Sequence, residues 1–232
     1  MPVQYIFLGL ILAAGILYAV MMKKLTLAAA LTGAVVAICI YSGMGFTGVG
    51  MMTAFFILGS AATSWKKELK KTINGEIYQA HRTTLQVLAN SGVAAIAALS
   101  IYYYPADTAL FRLIIAAAFA SATADTLSSE LGTVYGRRFY NIITLKKDER
   151  GLDGVISIEG LLIGIAGSTI IALIYGLGYG FNYTLVIVFA GTIGNIADSV
   201  LGATLERKEM LANNEVNFLN TMIAAAVVVV FV

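Results

Sequence analysis

Eight apolar runs, several of them close to the ~20 residues that cross a bilayer as a helix, leave this chain few ways to fold. They lie at 5–22, 25–41, 51–64, 85–104, 110–131, 155–177, 183–205 and 216–232. A water-soluble chain of 232 residues, 59% hydrophobic and only 12% charged, cannot bury that much apolar surface. The reading is all-α: a polytopic transmembrane helical bundle of about eight spans. Seven is also compatible, since the short second and eighth runs suit re-entrant segments. One transmembrane domain covers 1–232, with three spans in 1–64, an interfacial segment at 65–84, and core spans over 85–232 interrupted by a loop at 132–154.

The placement of charge orients these spans. Fourteen of the fifteen Lys and Arg residues fall in alternate connections, and Arg112 is the exception. The positive-inside rule makes the basic side cytoplasmic and leaves both termini outside. Lys23 and Lys24 follow the first run instead of preceding it, so that run reads as a permanent span and not as a secretory signal. Lys66, Lys67, Lys70 and Lys71 read as a helix lying on the membrane surface. Cys39 is the only cysteine, which leaves no intrachain disulfide and no cysteine metal cluster. His81, the only histidine, makes no ligand set and reads as interfacial.

Asp125, Glu130, Asp153, Glu159, Asp198, Glu206 and Glu215 then gather near the cytoplasmic ends. In S-A-T-A-D-T-L-S-S-E-L-G-T-V-Y-G (121–136), Asp125, Ser128, Gly132 and Gly136 share one helical face. A carboxylate this deep in an apolar segment is costly unless it meets a polar cavity or a metal. The plainer reading is a packing face of small residues. A-D-T-L at 124–127 returns as A-D-S-V at 197–200, in spans running the same way, which puts Asp125 and Asp198 at similar depth. Gly191, Gly194, Asn195, Asp198 and Gly202 also share a face, as do Arg82, Gln86 and Asn90, and again Asn217, Asn220 and Thr221. The loop adds Arg137, Arg138, Lys146, Lys147, Arg150 and G-L-D-G with Asp153, a phosphate cradle of cations and glycine N–H groups. Taken alone, the cations are better read as stop-transfer charge at anionic headgroups. Acids, amides and this loop together suit Mg²⁺-assisted work on a nucleoside triphosphate. No G-x-x-x-x-G-K-[ST] is present, so this is not a P-loop enzyme.

The stretch D-T-L-S-S-E-L-G-T-V-Y-G-R-R resembles CTP-dependent polyprenol kinases and related cytidylyltransferases. H-R-T-T-L-Q-V-L-A-N-S-G, A-D-T-L-S-S-E-L-G, G-L-D-G-V-I-S-I-E-G, D-S-V-L-G-A-T-L-E and V-N-F-L-N-T, in this order, more closely resemble the phytyl-phosphate kinase family. The resemblance runs from about Gln79 to the C-terminus. It implies phosphorylation of an isoprenoid monophosphate to its diphosphate at the cytoplasmic face, with CTP as donor and Mg²⁺ as cofactor. Asp125, Glu130 and Asp198 would be the catalytic and metal-site acids. Nucleotide and phosphate contacts would come from Arg82, Asn90, Ser128, Gly132, Gly136, Arg137, Arg138, Lys146, Lys147, Asp153, Asn195, Asn217 and Asn220. Ser91 and Leu152 stand where glycine and asparagine are expected, which bears on loop detail and chain preference.

The implied partners are a prenyl-phosphate lipid, a nucleoside triphosphate and the membrane. Nucleic acid is not expected, and a homo-oligomer is compatible. Alternatives are a CTP-dependent lipid cytidylyltransferase, a prenol kinase, or a transporter of an anionic metabolite or lipid. A transporter would carry polar residues to the midplane on broken helices, often in inverted repeats. Here they crowd one side, and the echo is parallel.

Overall fold

A computed structural model describes residues 3–74 and 81–232. Among the described residues, seven helices are long and apolar enough to cross a membrane: α1 (Val3–Met21), α2 (Leu27–Ser64), α4 (Thr84–Tyr103), α5 (Thr108–Tyr135), α6 (Ile158–Tyr179), α7 (Thr184–Leu201) and α8 (Asn213–Phe231). A short amphipathic helix, α3 (Lys67–Asn74), sits between α2 and α4. The portion of the interfacial segment at 75–80 lies outside the described residues.

α2 is 38 residues long and is not one rod. Helical geometry fails at Gly45, whose φ of 57° and ψ of −149° only glycine tolerates. The two arms fold back on each other, so that Lys24, just before α2, donates to Ser64 Oγ at its far end at 2.5 Å. Across the turn the rings of Tyr41 and Phe46 stand 5.0 Å apart. Spans two and three of the sequence reading are these two arms, and the turn is tighter than the expected 43–50 connection.

Arg112, the one basic residue at the opposite end, is bound into the fold-back. Its Nε donates to Gly43 O at 3.1 Å, and its guanidinium lies 4.7 Å from the centre of the Tyr179 ring. Tyr179 donates to Met44 O at 2.7 Å. Carbonyls left open where the first arm ends thus find donors.

α5 is the axis of the bundle. From Leu113 to Ala124 almost every residue is buried, as expected for a helix apolar all round. α2, α4, α6, α7 and α8 surround it. Small residues set these approaches: a Cβ on Gly132 would stand 2.8 Å from Gly160 Cα, and one on Gly191 would meet Ala120. The glycine stripe of α7 is therefore a packing surface. Outward faces carry Leu17, Leu162, Leu185 and Val230, suited to lipid.

Between α5 and α6 the chain forms a two-stranded antiparallel ribbon, β1 (Tyr140–Asn141) with β2 (Val155–Ile156). The sixth helix therefore begins at Ile158, later than the apolar run suggests. Ser157 caps it by accepting from Gly160 N at 3.1 Å. α7 ends in a π turn over Gly202–Glu206, a distortion common at functional sites.

Candidate active site

Asp125 of α5 and Asp198 of α7 meet at the basic end of the bundle, each carboxyl within hydrogen-bonding reach of the other. α5 and α7 run the same way, and the sequence echo places both acids at the same depth. Asn220 of α8 fixes the pair: its Nδ2 donates to Asp198 Oδ1 at 2.8 Å, while its Oδ1 accepts from Ser121 Oγ at 3.1 Å. Asn220, wholly buried, does not line the cavity and acts by holding Asp198.

The pair faces a polar cavity of about 380 Å³, lined among others by Arg82, Asn90, Ser128, Glu130, Gly132, Asp153, Asn195 and Asn217. Glu130 is not joined to the aspartates. Lys70 of α3 donates to it, and the same ammonium donates to Ala62 O and Thr63 O, both at 2.8 Å. This corrects two expectations. Lys70 is not a surface lysine but is 1% exposed, and Glu130 is held by a cation of the protein. Among the described residues no group of three or more Asp, Glu, His or Cys is assembled to hold a metal.

The cations expected to bind phosphate lie elsewhere. Arg137, Arg138, Lys146 and Lys147 are exposed and outside the cavity, and Arg137 leans toward Glu159 at 4.0 Å. Gly136 is outside it as well, filled over by the Phe139 ring, and Gly132 is approached by the Gly160 backbone. Of the face of α5 below Asp125, Ser128 and Gly132 therefore reach the cavity wall, while Gly136 is covered by protein. The G-L-D-G turn does belong. Gly154, at φ 69°, lies so close to Ala203 that a Cβ there would strike its backbone. Arg207 secures this turn by donating to Asp153 O at 2.6 Å and to Asp148 Oδ2 at 2.9 Å. The Glu149 N–H and then Arg207 hold the Asp148 carboxyl below its ordinary value. Protein packed about the Asp153 carboxyl raises its pKa, and Arg207 partly offsets this.

Residues 10–225 match the family described as "Integral membrane protein DUF92". The chain belongs to that family. Among DUF92 relatives, "Uncharacterized membrane protein sll0875" of Synechocystis is 32% identical over 84% of this chain and 78% of its own. "Protein VTE6, chloroplastic" of Arabidopsis thaliana is 33% identical over 80% of this chain, which spans 58% of that longer protein. "Uncharacterized membrane protein MJ0933" of Methanocaldococcus jannaschii is 35% identical over 79% of this chain and 75% of its own. No solved structure matches. The family resemblance read from the ordered motifs is borne out.

In this DUF92 protein the cavity also takes in residues that the sequence left unassigned. Glu206 and Asn213 line it; the first was visible as an acid at a span end, but its direction was not. His81 is at the wall too, with Nδ1 2.6 Å from Lys23 O. Asn90 donates from Nδ2 to Gln86 O at 2.9 Å, while its Oδ1 is buried without a partner among the described residues. Such an acceptor at a cavity wall suits a donor on a ligand.

Proposed function

We propose that this protein is a membrane phosphotransferase that moves the γ-phosphoryl group of CTP to an isoprenoid monophosphate, giving the prenyl diphosphate and CDP. The observation that carries the reading is the facing pair Asp125 and Asp198 beside a polar cavity at the basic end of an apolar bundle. Two carboxylates pressed together in a low-dielectric setting repel each other, and a divalent cation relieves that repulsion. Mg²⁺ commonly takes one or two carboxylates and completes its shell with water and phosphate oxygens. The donor set fits: Asp125 and Asp198 would hold it, without the expected third acid Glu130. The ion would neutralise charge on the nucleotide phosphates.

The remaining roles fall to the protein's own groups. Asn220 keeps Asp198 aimed at the cavity. Asn90 Oδ1 offers an acceptor to a nucleotide donor, and backbone N–H groups of the 151–154 turn are available to phosphate oxygens. Arg82, at the wall nearest α1 and α2, suits the acceptor phosphate. That phosphate is already an anion at neutral pH, so no strong base is needed. Its oxygen forms a bond to the γ-phosphorus, the bond to the β–γ bridging oxygen breaks, and CDP leaves. Positioning and charge neutralisation supply most of the acceleration. The basic end is assigned to the cytoplasm, where CTP is available.

The test is to incubate purified protein with Mg²⁺, CTP and geranylgeranyl monophosphate and to identify the products. CDP with the prenyl diphosphate supports the reading. Pyrophosphate with a cytidylyl lipid would make it a cytidylyltransferase, and turnover of neither would overturn the enzyme assignment.

A further inference from the structure

A second hollow, of about 170 Å³ and almost wholly apolar, runs between α1, both arms of α2 and the start of α4. Its walls include Ile11 and Gly15 of α1, Gly33 of the first arm, and Met52 and Phe56 of the second. Arg82 and Gln86 line both this groove and the polar cavity. The Arg82 guanidinium lies 5.6 Å from the ring centre of Phe55, itself a groove residue. Its backbone is fixed to the α1–α2 connection, Arg82 N donating to Lys24 O at 3.0 Å and Thr26 N to Arg82 O at 3.2 Å. One cation therefore lines both an apolar groove and a site rich in polar groups.

We infer that this groove is the binding site for the hydrocarbon tail of the phosphorylated acceptor, seating the chain against α1 and α2 while Arg82 receives its phosphate. The inference rests on the proposed activity and assigns its acceptor subsite. A lipid with an anionic head and a long apolar tail matches the junction on both sides, whereas a water-soluble phosphate would leave the groove unused. The tail enters from the bilayer and its head meets the nucleotide without leaving the membrane.

Gly15 and Gly33 make the groove testable. A Cβ on Gly15 would meet nothing within 4 Å, and one on Gly33 only Met52 Cε at 3.8 Å. Gly15→Phe and Gly33→Leu therefore start a side chain at the groove wall with no clash at Cβ. Gly9→Phe, also with open space around it and outside the groove, is the control on the same helix. Each filled variant is expected to raise KM for geranylgeranyl monophosphate by about tenfold. KM for CTP and for dimethylallyl monophosphate should stay near the parent values, as should all three constants in Gly9→Phe. Equal effects on long and short acceptors, or no effect, would overturn the inference. A readout without turnover separates it from the activity itself: a diazirine-tailed alkyl phosphate is photolysed with the protein and the adducts are mapped. Adducts on α1 and the first arm of α2, reduced by Gly15→Phe, support the groove even if no phosphoryl transfer is detected. Adducts spread over the outer faces of α6 and α8 instead would sink it.

Discussion

Lys70 of α3 places its ammonium 2.5 Å from Glu130 Oε2 of α5, sixty positions along the chain, with side-chain exposures of 2% and 21%. Two carbonyls at the end of α2 take its other protons. The pair joins the surface helix to the axis of the bundle at the rim of the cavity. Removing one partner strands the other charge in a poorly hydrated place. Lys70→Met should cost about 3 kcal/mol, read as a lower thermal unfolding midpoint in detergent. The double change Lys70→Met with Glu130→Gln should recover most of the loss.

The aspartate pair should trade stability for function. Asp125→Asn or Asp198→Asn removes one of two mutually repelling carboxylates, so each variant should melt higher than the parent in EDTA. Each should also lose on the order of a hundredfold or more in kcat, since the charge that holds the nucleotide-bound cation is gone. Product formation and melting, measured on the same preparations, check both halves.

Gly154 combines a left-handed backbone with a neighbour that leaves no room for a side chain. Gly154→Ala should lift the 151–154 turn from α7 at a cost of about 1–3 kcal/mol. Trypsin should then cut faster at Lys146, Lys147 and Arg150, and kcat should fall. An unchanged cleavage rate would show that the turn is not held this way.

Asp148 supplies a pH dependence. Its pKa is held below the ordinary aspartate value of 3.8 by the Glu149 N–H and then by Arg207. A depressed carboxyl pKa stabilises the docked loop above that ordinary value, and the contribution fades as pH falls through the lower, folded value. Protection factors across 139–156, taken against the intrinsic exchange rate at each pH, should therefore be steady at pH 5 to 7 and should fall only below about pH 4.

Orientation can be read with single cysteines in a Cys39→Ala background. The positive-inside rule predicts that Tyr103→Cys, at the end away from the basic loops, reacts with an impermeant maleimide on intact cells. Lys147→Cys should react only after permeabilisation. The reverse pattern would place the candidate site outside.

What the sequence determined by itself follows from properties that need no knowledge of neighbours. Apolar length predicts the membrane helices, one-sided Lys and Arg predict a common basic end, and the A-D-T-L and A-D-S-V echo puts Asp125 and Asp198 at one depth. Helical spacing also groups Gln86 with Asn90 on α4, and both line the cavity, whereas Arg82, expected on the same face, lies before the helix in a bridge with Leu25. Tertiary structure alone decided which charges meet. It took Lys70 from the surface to Glu130, left Arg137, Arg138, Lys146 and Lys147 outside the cavity, and brought Asn220 behind Asp198. It also covered Gly136 with the Phe139 ring and set Gly132 against Gly160 at the cavity wall. The physical reason is that spacing along a helix fixes a residue's face and depth. What that face meets depends on how the helices rotate and cross, and those angles are set by close contacts such as Gly132 on Gly160 between residues far apart in the chain.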